Sequence, residues 1–190
     1  MIREVIVTTR APDGRIHIAP MGVHEAGGLK MLAPFRPSTT LDNALATRCA
    51  VVNYCDDVRV FAGCLTGRRD WPTLPAQQVA GVRLAGALAH TELVLQRVEE
   101  DAQRPRLLCR VVHEANHAPF RGFNRAQAAV IEAAILASRL HLLPADKIDA
   151  ELRYLTIAMD KTAGPVEREA WDWLMARISQ HRSGKAAVDA

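Results

Sequence analysis

Residues 4–22 read EVIVTTRAPDGRIHIAPMG. Residues 4–9, EVIVTT, are a β-branched run. Ala11-Pro12-Asp13-Gly14 then places Pro and Gly where a tight turn uses them. Residues 15–22, RIHIAPMG, set Ile16 and Ile18 against Arg15 and His17, the alternation of a half-buried strand. Two such runs around one turn predict a β-hairpin. Working outward, Gly27-Gly28 marks a second turn and Leu29 to Leu32 a short strand. Cys49 to Tyr54, CAVVNY, is an apolar strand. Thr91 to Glu100 and Arg106 to Glu114 are two long β-like runs, with Asp101 to Pro105 as the loop between them. About six strands, mostly joined as hairpins, predict a small antiparallel barrel.

Helices break this pattern in two places. Residues 38–48, STTLDNALATR, open with hydroxyl caps and an acidic first turn and close on Arg48, which predicts a helix. Trp71 to Ala89 reads as loop plus helix. From Asn124 the period changes. Ala126, Ala129, Val130, Ala133, Leu136 and Leu140 fall at helical spacing, and Pro144 stops that helix. Asp146 reads as the cap of a second, with Ile148, Leu152, Leu155 and Met159 on one face. Gly164-Pro165 separates it from a third, lined by Val166, Ala170, Trp173, Leu174 and Ile178. The expected fold is α+β: an antiparallel barrel at 1–120, three C-terminal helices at 121–180, and a frayed tail at 181–190.

The chain has 190 residues, 49% hydrophobic and 24% charged, which excludes a disordered or fibrous class. No apolar run approaches the ~18–20 residues of a membrane span. Arg3 and Glu4 stand where a signal peptide needs an apolar core, so a soluble cytoplasmic protein is expected. The net charge of +3 and the absence of a Lys/Arg block give no indication of nucleic-acid binding. Cys49, Cys55, Cys64 and Cys109 form no C-x-x-C pair and are expected as free thiols.

Four stretches carry candidate chemistry. Ala33 to Asn43, APFRPSTTLDN, presents Arg36 and then Ser38, Thr39 and Thr40 at a helix start. Unpaired backbone N–H groups, the helix dipole and a guanidinium fork together suit a monophosphate. The same residues also read as ordinary caps beside a solvated arginine. Ile18-Ala19-Pro20-Met21-Gly22 carries Pro and small residues on a strand, which admits either a flat ligand or an edge bulge. His113-Glu114-Ala115-Asn116-His117 matches H-E-x-x-H, but that zinc-hydrolase motif needs a helix. The preceding LLCRVV favours a strand, and no metal is expected there. Pro119 to Arg125, PFRGFNR, covers a planar ligand or plugs a domain junction. No Walker loop, G-x-G-x-x-G or Ser/His/Asp order is present.

Taken in order, EVIVTT, DGRIHIAPMGV, PFRPSTTLDNA, VVNYCDD and FNRAQAAVIEAAILASRL resemble the domain-of-unknown-function 447 family of methanogens and methylotrophs. The resemblance covers nearly the whole chain, most clearly up to Leu140. It implies an FMN-binding split β-barrel, similar to flavin reductases, assembled as a homodimer with the flavin near the subunit interface. By position, Arg36, Ser38, Thr39 and Thr40 look like the phosphate segment. Ala19, Pro20, Met21 and Gly22 look like the segment beside the isoalloxazine, with Asn43 and Asn53 as further polar contacts. The resemblance also implies a flavin-dependent oxidoreductase linked to tetrahydromethanopterin and one-carbon metabolism, acting on a pterin- or nicotinamide-type small molecule. The competing readings are a non-catalytic FMN-binding or interaction protein and, more distantly, a zinc hydrolase. No catalytic residue is assigned. His17, His24, His113 and His117 enter as candidate proton donors only because imidazole titrates near neutral pH.

Overall fold

The hairpin of residues 4–22 is the seed of the barrel. In the computed structural model, β1 (Ile2–Arg10) and β2 (Ile16–Ala26) pair antiparallel from Ile2↔His24 to Arg10↔Ile16. The structure describes residues 1–188, and these form eight strands and five helices. After β2 come β3 (Leu29–Leu32), α1 (Thr39–Thr47), β4 (Cys49–Tyr54), α2 (Val58–Leu65), β5 (Thr73–Pro75) and β6 (Val82–Leu84). The chain continues with β7 (Ala89–Glu99), β8 (Arg106–Asn116), α3 (Arg125–Ser138), α4 (Ala145–Thr162) and α5 (Pro165–Val188).

Six strands close into an antiparallel barrel in the order β1-β2-β3-β8-β7-β4. Its interior is filled by Val5, Val7, Val23, Leu32, Ala50, Val52, Leu93, Leu95, Leu107 and Cys109, with Leu41 and Ala44 of α1 packed on the same cluster. On β1 the outward residues Ile6 and Thr8 are as buried as the inward ones, because a segment covers that outer face. Thr8 Oγ1 donates to the Val82 carbonyl at 2.5 Å. Asn53 Nδ2 donates to the Ile6 carbonyl and to Thr8 Oγ1, both at 3.2 Å, while its Oδ1 accepts from Leu84 N–H at 2.7 Å.

That covering segment corrects one expectation. Trp71 to Ala89 holds no helix; it contains the β5–β6 hairpin, with Thr73 opposite Leu84 and Pro75 opposite Val82. Pro72 and Pro75 cannot sit inside a helix, and Gly81 and Gly86 weaken one further. A second helix between barrel strands, α2, also went unread. Its eight residues, VRVFAGCL, form a short apolar run with two valines and a phenylalanine that reads equally as a strand, and six of the eight are buried. Asp57 caps it by accepting from Arg59 N–H at 3.0 Å.

The chain divides into two compact units: residues 1–56 with 70–120, and residues 57–69 with 121 onward. The second unit packs α2, α3, α4 and α5 around Val58, Ala62, Ala126, Ala129, Val130, Ala133, Leu174 and Ile178. The alanines of α3 let its neighbours approach closely, which limits the volume of the core to be filled. Trp173 lies partly buried against this core, with the Arg68 guanidinium 4.4 Å from its ring centre. Asp146 is not the cap of α4; Pro144 occupies that position and Asp146 falls in the first turn. Residues 181–188, expected to be frayed, continue α5; the rest of that expectation, residues 189–190, lies outside the described residues.

Asn124 caps α3, accepting from Ala126 N–H at 2.7 Å and donating to the Thr162 carbonyl at 3.1 Å. Asn124→Ala removes both bonds. A loss of about 1–2 kcal/mol is expected, read as a lower midpoint in chemical denaturation followed by helical circular dichroism.

Candidate functional site

The α1 start is built as a cap. Ser38 has extended backbone (φ −160°, ψ 144°), and its Oγ accepts from Leu41 N–H at 3.3 Å. Asp42 N–H bonds the Ser38 carbonyl at 3.1 Å. Helix geometry leaves Thr39 and Thr40 N–H without intrahelical acceptors. Thr39 is exposed, Ser38 half-buried and Thr40 buried. The approach to the helix is held by the β7–β8 turn. Arg36 N–H donates to the Gln103 carbonyl at 2.8 Å, and Arg104 donates to the Ala33 carbonyl. The Arg104 guanidinium also lies 4.6 Å from the Phe35 ring centre. Arg36 itself is exposed and pairs with the exposed Glu100 at 3.1 Å. A surface pair of this kind is weak, so an anion competes for the guanidinium at small cost. These groups fit a phosphate.

The other sequence-predicted residues separate into roles. Ala19 and Met21 lie opposite Val7 and Val5, whose side chains fill the barrel, and Met21 packs on that core. Alternation therefore leaves Pro20 and Gly22 for the outer surface. A Cβ on Gly22 meets Ile2 Cγ2 at 2.9 Å, so the cross-strand neighbour already asks for a small residue. Asn43 is buried and donates to Thr9 Oγ1 at 3.2 Å, tying α1 to β1. Asn53 is fully buried, with both ends of its amide engaged by the protein as described above. Both asparagines thus have partners within the fold. Burial pushes the Cys64 thiol up to about 11 and the Cys109 thiol up to about 12, so neither is a thiolate at neutral pH.

The H-E-x-x-H match falls on a strand. β8 runs through His113-Glu114-Ala115-Asn116, so His113 and Glu114 point to opposite faces. Glu114 accepts from Thr91 Oγ1 at 2.9 Å. The geometry of a helical zinc protease is absent. In its place stands a cluster that the sequence reading missed, made with His90 and Glu92. The H-x-E spacing of His90 and Glu92 on one strand face is the part of it that the sequence carries; the pairing with His113 is set by strand register.

His90 and Glu92 alternate on β7, and Glu92 pairs in register with His113 of β8. All lie on the outer side of the barrel wall. Glu92 is fully buried and accepts from Gln77, Gln78 and Val79 N–H at 2.6, 2.6 and 3.0 Å. His90 Nε2 lies 3.1 Å from Glu92 Oε1, and His90 Nδ1 lies 2.9 Å from His117 Nε2. Burial alone raises the Glu92 pKa. The Gln77 and Gln78 amides, His90 and the Val79 amide outweigh it and hold the carboxyl below its ordinary range. His117 is held below the usual imidazole value by desolvation, then by the positive charge of Arg83 and its histidine neighbours.

Solved structures share the fold. The chain matches an FMN-bound protein from Methanosarcina mazei with a TM-score of 0.80 at 20% identity, over 93% of this chain and 94% of that one. It matches the 2-nitrobenzoate 2-nitroreductase of Pseudomonas fluorescens with a TM-score of 0.52 at 19% identity, over 60% and 64% of the two chains. An FMN-binding protein from Thermus thermophilus gives 0.50 at 18% identity, over 60% and 69%. The architecture is that of the flavin-reductase-like split barrels, with C-terminal helices added. No curated protein matches the sequence. A family model described as the N-terminal domain of a protein of unknown function (DUF447) matches residues 3–118, and its C-terminal counterpart matches residues 124–176. Together these matches span most of the chain, which belongs to the DUF447 family.

Proposed function

We propose that this chain binds FMN and serves as a flavin-dependent oxidoreductase. The observation that carries the reading is the capped, arginine-flanked start of α1 in a chain whose fold matches an FMN-bound relative along 93% of its length. Arg36, Ser38 and the hydroxyls and amides of Thr39 and Thr40 bind the phosphate. Pro20 and Gly22 offer a low surface on β2 for the flat ring, with Ala19 and Met21 fixing the strand from the barrel side. Bound flavin supplies the redox chemistry; the chain supplies position and charge. The substrate is a pterin- or nicotinamide-type small molecule, consistent with a place in tetrahydromethanopterin-linked one-carbon metabolism. Anaerobic addition of NADH or NADPH to the FMN-loaded protein tests the reaction. Bleaching of the flavin absorbance supports an oxidoreductase, and an unreduced flavin with both donors favours a non-catalytic flavin protein.

The assembly is a homodimer with flavin at the interface. Light scattering at micromolar concentration is expected to give twice the 20.9 kDa chain mass. A specific dimer of this kind buries more than ~1,200 Å² in total. A monomer that still binds FMN tightly overturns the interfacial placement.

A further inference from the structure

We propose that His90, Glu92 and His113 form a binding site for one divalent transition-metal ion of the zinc class, on the outer face of the β7–β8 ladder. One ligand atom from each of the three residues lies within 4.8 Å of the others. Two imidazoles and a carboxylate are a donor set such ions favour. The strands bring the three together: His90 and Glu92 are two residues apart on β7, and His113 is the register partner of Glu92.

Three details point to coordination rather than to a closed hydrogen-bond network. First, His113 Nε2 is buried yet has no hydrogen-bond partner among the described residues. An orphaned buried acceptor or donor is costly, and a Lewis acid satisfies it. Second, His90 Nε2 and Glu92 Oε1 are 3.1 Å apart. Two ligands with metal bonds of ~2.0–2.2 Å at tetrahedral to octahedral angles stand about 2.9–3.5 Å apart, so the ion takes the place of the proton between them with little movement. Third, the outer shell is already built. His90 then carries its proton on Nδ1 and donates it to His117 Nε2, 2.9 Å away. Glu92 keeps its three backbone amides from Gln77, Gln78 and Val79. Such partners orient the ligands and fix the tautomer. The exposed His117 side offers the way in, and three protein ligands leave a position for water.

The site shares His113 and His117 with the H-E-x-x-H match but not its helix or its glutamate, since Glu114 lies on β8 and faces the other way. It is also independent of the flavin reading. The ion ties β7, β8 and the 77–79 loop to one point.

The test uses the full chain treated with chelator and dialysed. Zn²⁺ is titrated by calorimetry, and Co²⁺ binding is followed by visible absorption. Wild type is expected to take up one ion per chain, with a rise in thermal midpoint on Zn²⁺ addition. His113 makes no hydrogen bond through Nε2, so His113→Ala and the ring-keeping His113→Phe are expected to melt like wild type in chelator. Zn²⁺ affinity in both should fall more than ~100-fold, and His117→Ala, an outer-shell change, should cost ~10–100-fold. His24→Ala, on β2, should leave affinity unchanged. FMN titration of His113→Phe should match wild type, which separates a failure here from a failure of the flavin site. Absence of one-to-one uptake at micromolar protein, or His113→Phe binding Zn²⁺ within about threefold of wild type, overturns the site.

Discussion

Glu92→Ala is expected to lower the thermal midpoint by roughly 6–12 °C with chelator present. The carboxylate is fully buried and holds three backbone amides and the His90 ring. Removing the acceptor leaves four donors unpaired at once. Each orphaned buried donor costs about 1–3 kcal/mol, and removing one member of a buried charged network about 3–5 kcal/mol. Gln77 and Gln78 are exposed side chains on the surface, so the loop amides regain water by lifting away. That relief places the net near 3 kcal/mol, and a domain of this size shifts by about 2–4 °C per kcal/mol. Glu92→Gln keeps one acceptor oxygen and should cost less. Loss of order should concentrate at residues 76–81, visible as faster amide exchange there than in β1 and β2. A midpoint within 1–2 °C of wild type (about 0.5 kcal/mol) contradicts the role given to this carboxylate.

Arg36→Ala is expected to weaken FMN binding about ten- to a hundredfold. A charge-assisted contact to phosphate is worth about 1.5–3 kcal/mol, and ~1.4 kcal/mol is a factor of ten. The exposed Glu100 pair that Arg36 forms in the structure reduces the gain only slightly, because pairs of that kind contribute at most about 1 kcal/mol. Thr40→Val should cost less, about 0.5–1.5 kcal/mol for a neutral hydroxyl. Riboflavin, without the phosphate, should bind wild type and Arg36→Ala alike. A general loss of folding weakens both ligands, so the comparison isolates the phosphate contact. Equal FMN affinity in wild type and Arg36→Ala returns residues 36–40 to the role of an ordinary capped helix start.

The barrel was legible because its strands advertise themselves locally. EVIVTT and RIHIAPMG carry β-branching and alternation around a Pro-Asp-Gly turn, and the structure pairs them along their whole length. The α1 start was legible from its hydroxyls, since Ser38 does cap Leu41 N–H. The segment 71–89 was not, because its two short strands hold only three residues each and are fixed by distant partners, Thr8 and Asn53. α2 was hidden by its length, because eight residues rich in Val and Phe read as a strand as readily as a helix. The His90–Glu92–His113 cluster was hidden for a third reason. The sequence offered H-E-x-x-H, a local pattern, whereas the groups that meet come from register across two strands. Asn53 illustrates the same limit: a polar residue in an apolar strand is visible in sequence, but whether it faces a ligand or pins a covering loop depends on what folds over it.

The measurement that bears most directly on the whole account is FMN binding by the wild-type protein, followed through the fluorescence of the flavin and paired with riboflavin under the same conditions. The account predicts saturation at one FMN per chain, with riboflavin at least about tenfold weaker, the equivalent of one charge-assisted phosphate contact. No saturable FMN binding, or equal affinity for the two flavins, contradicts it.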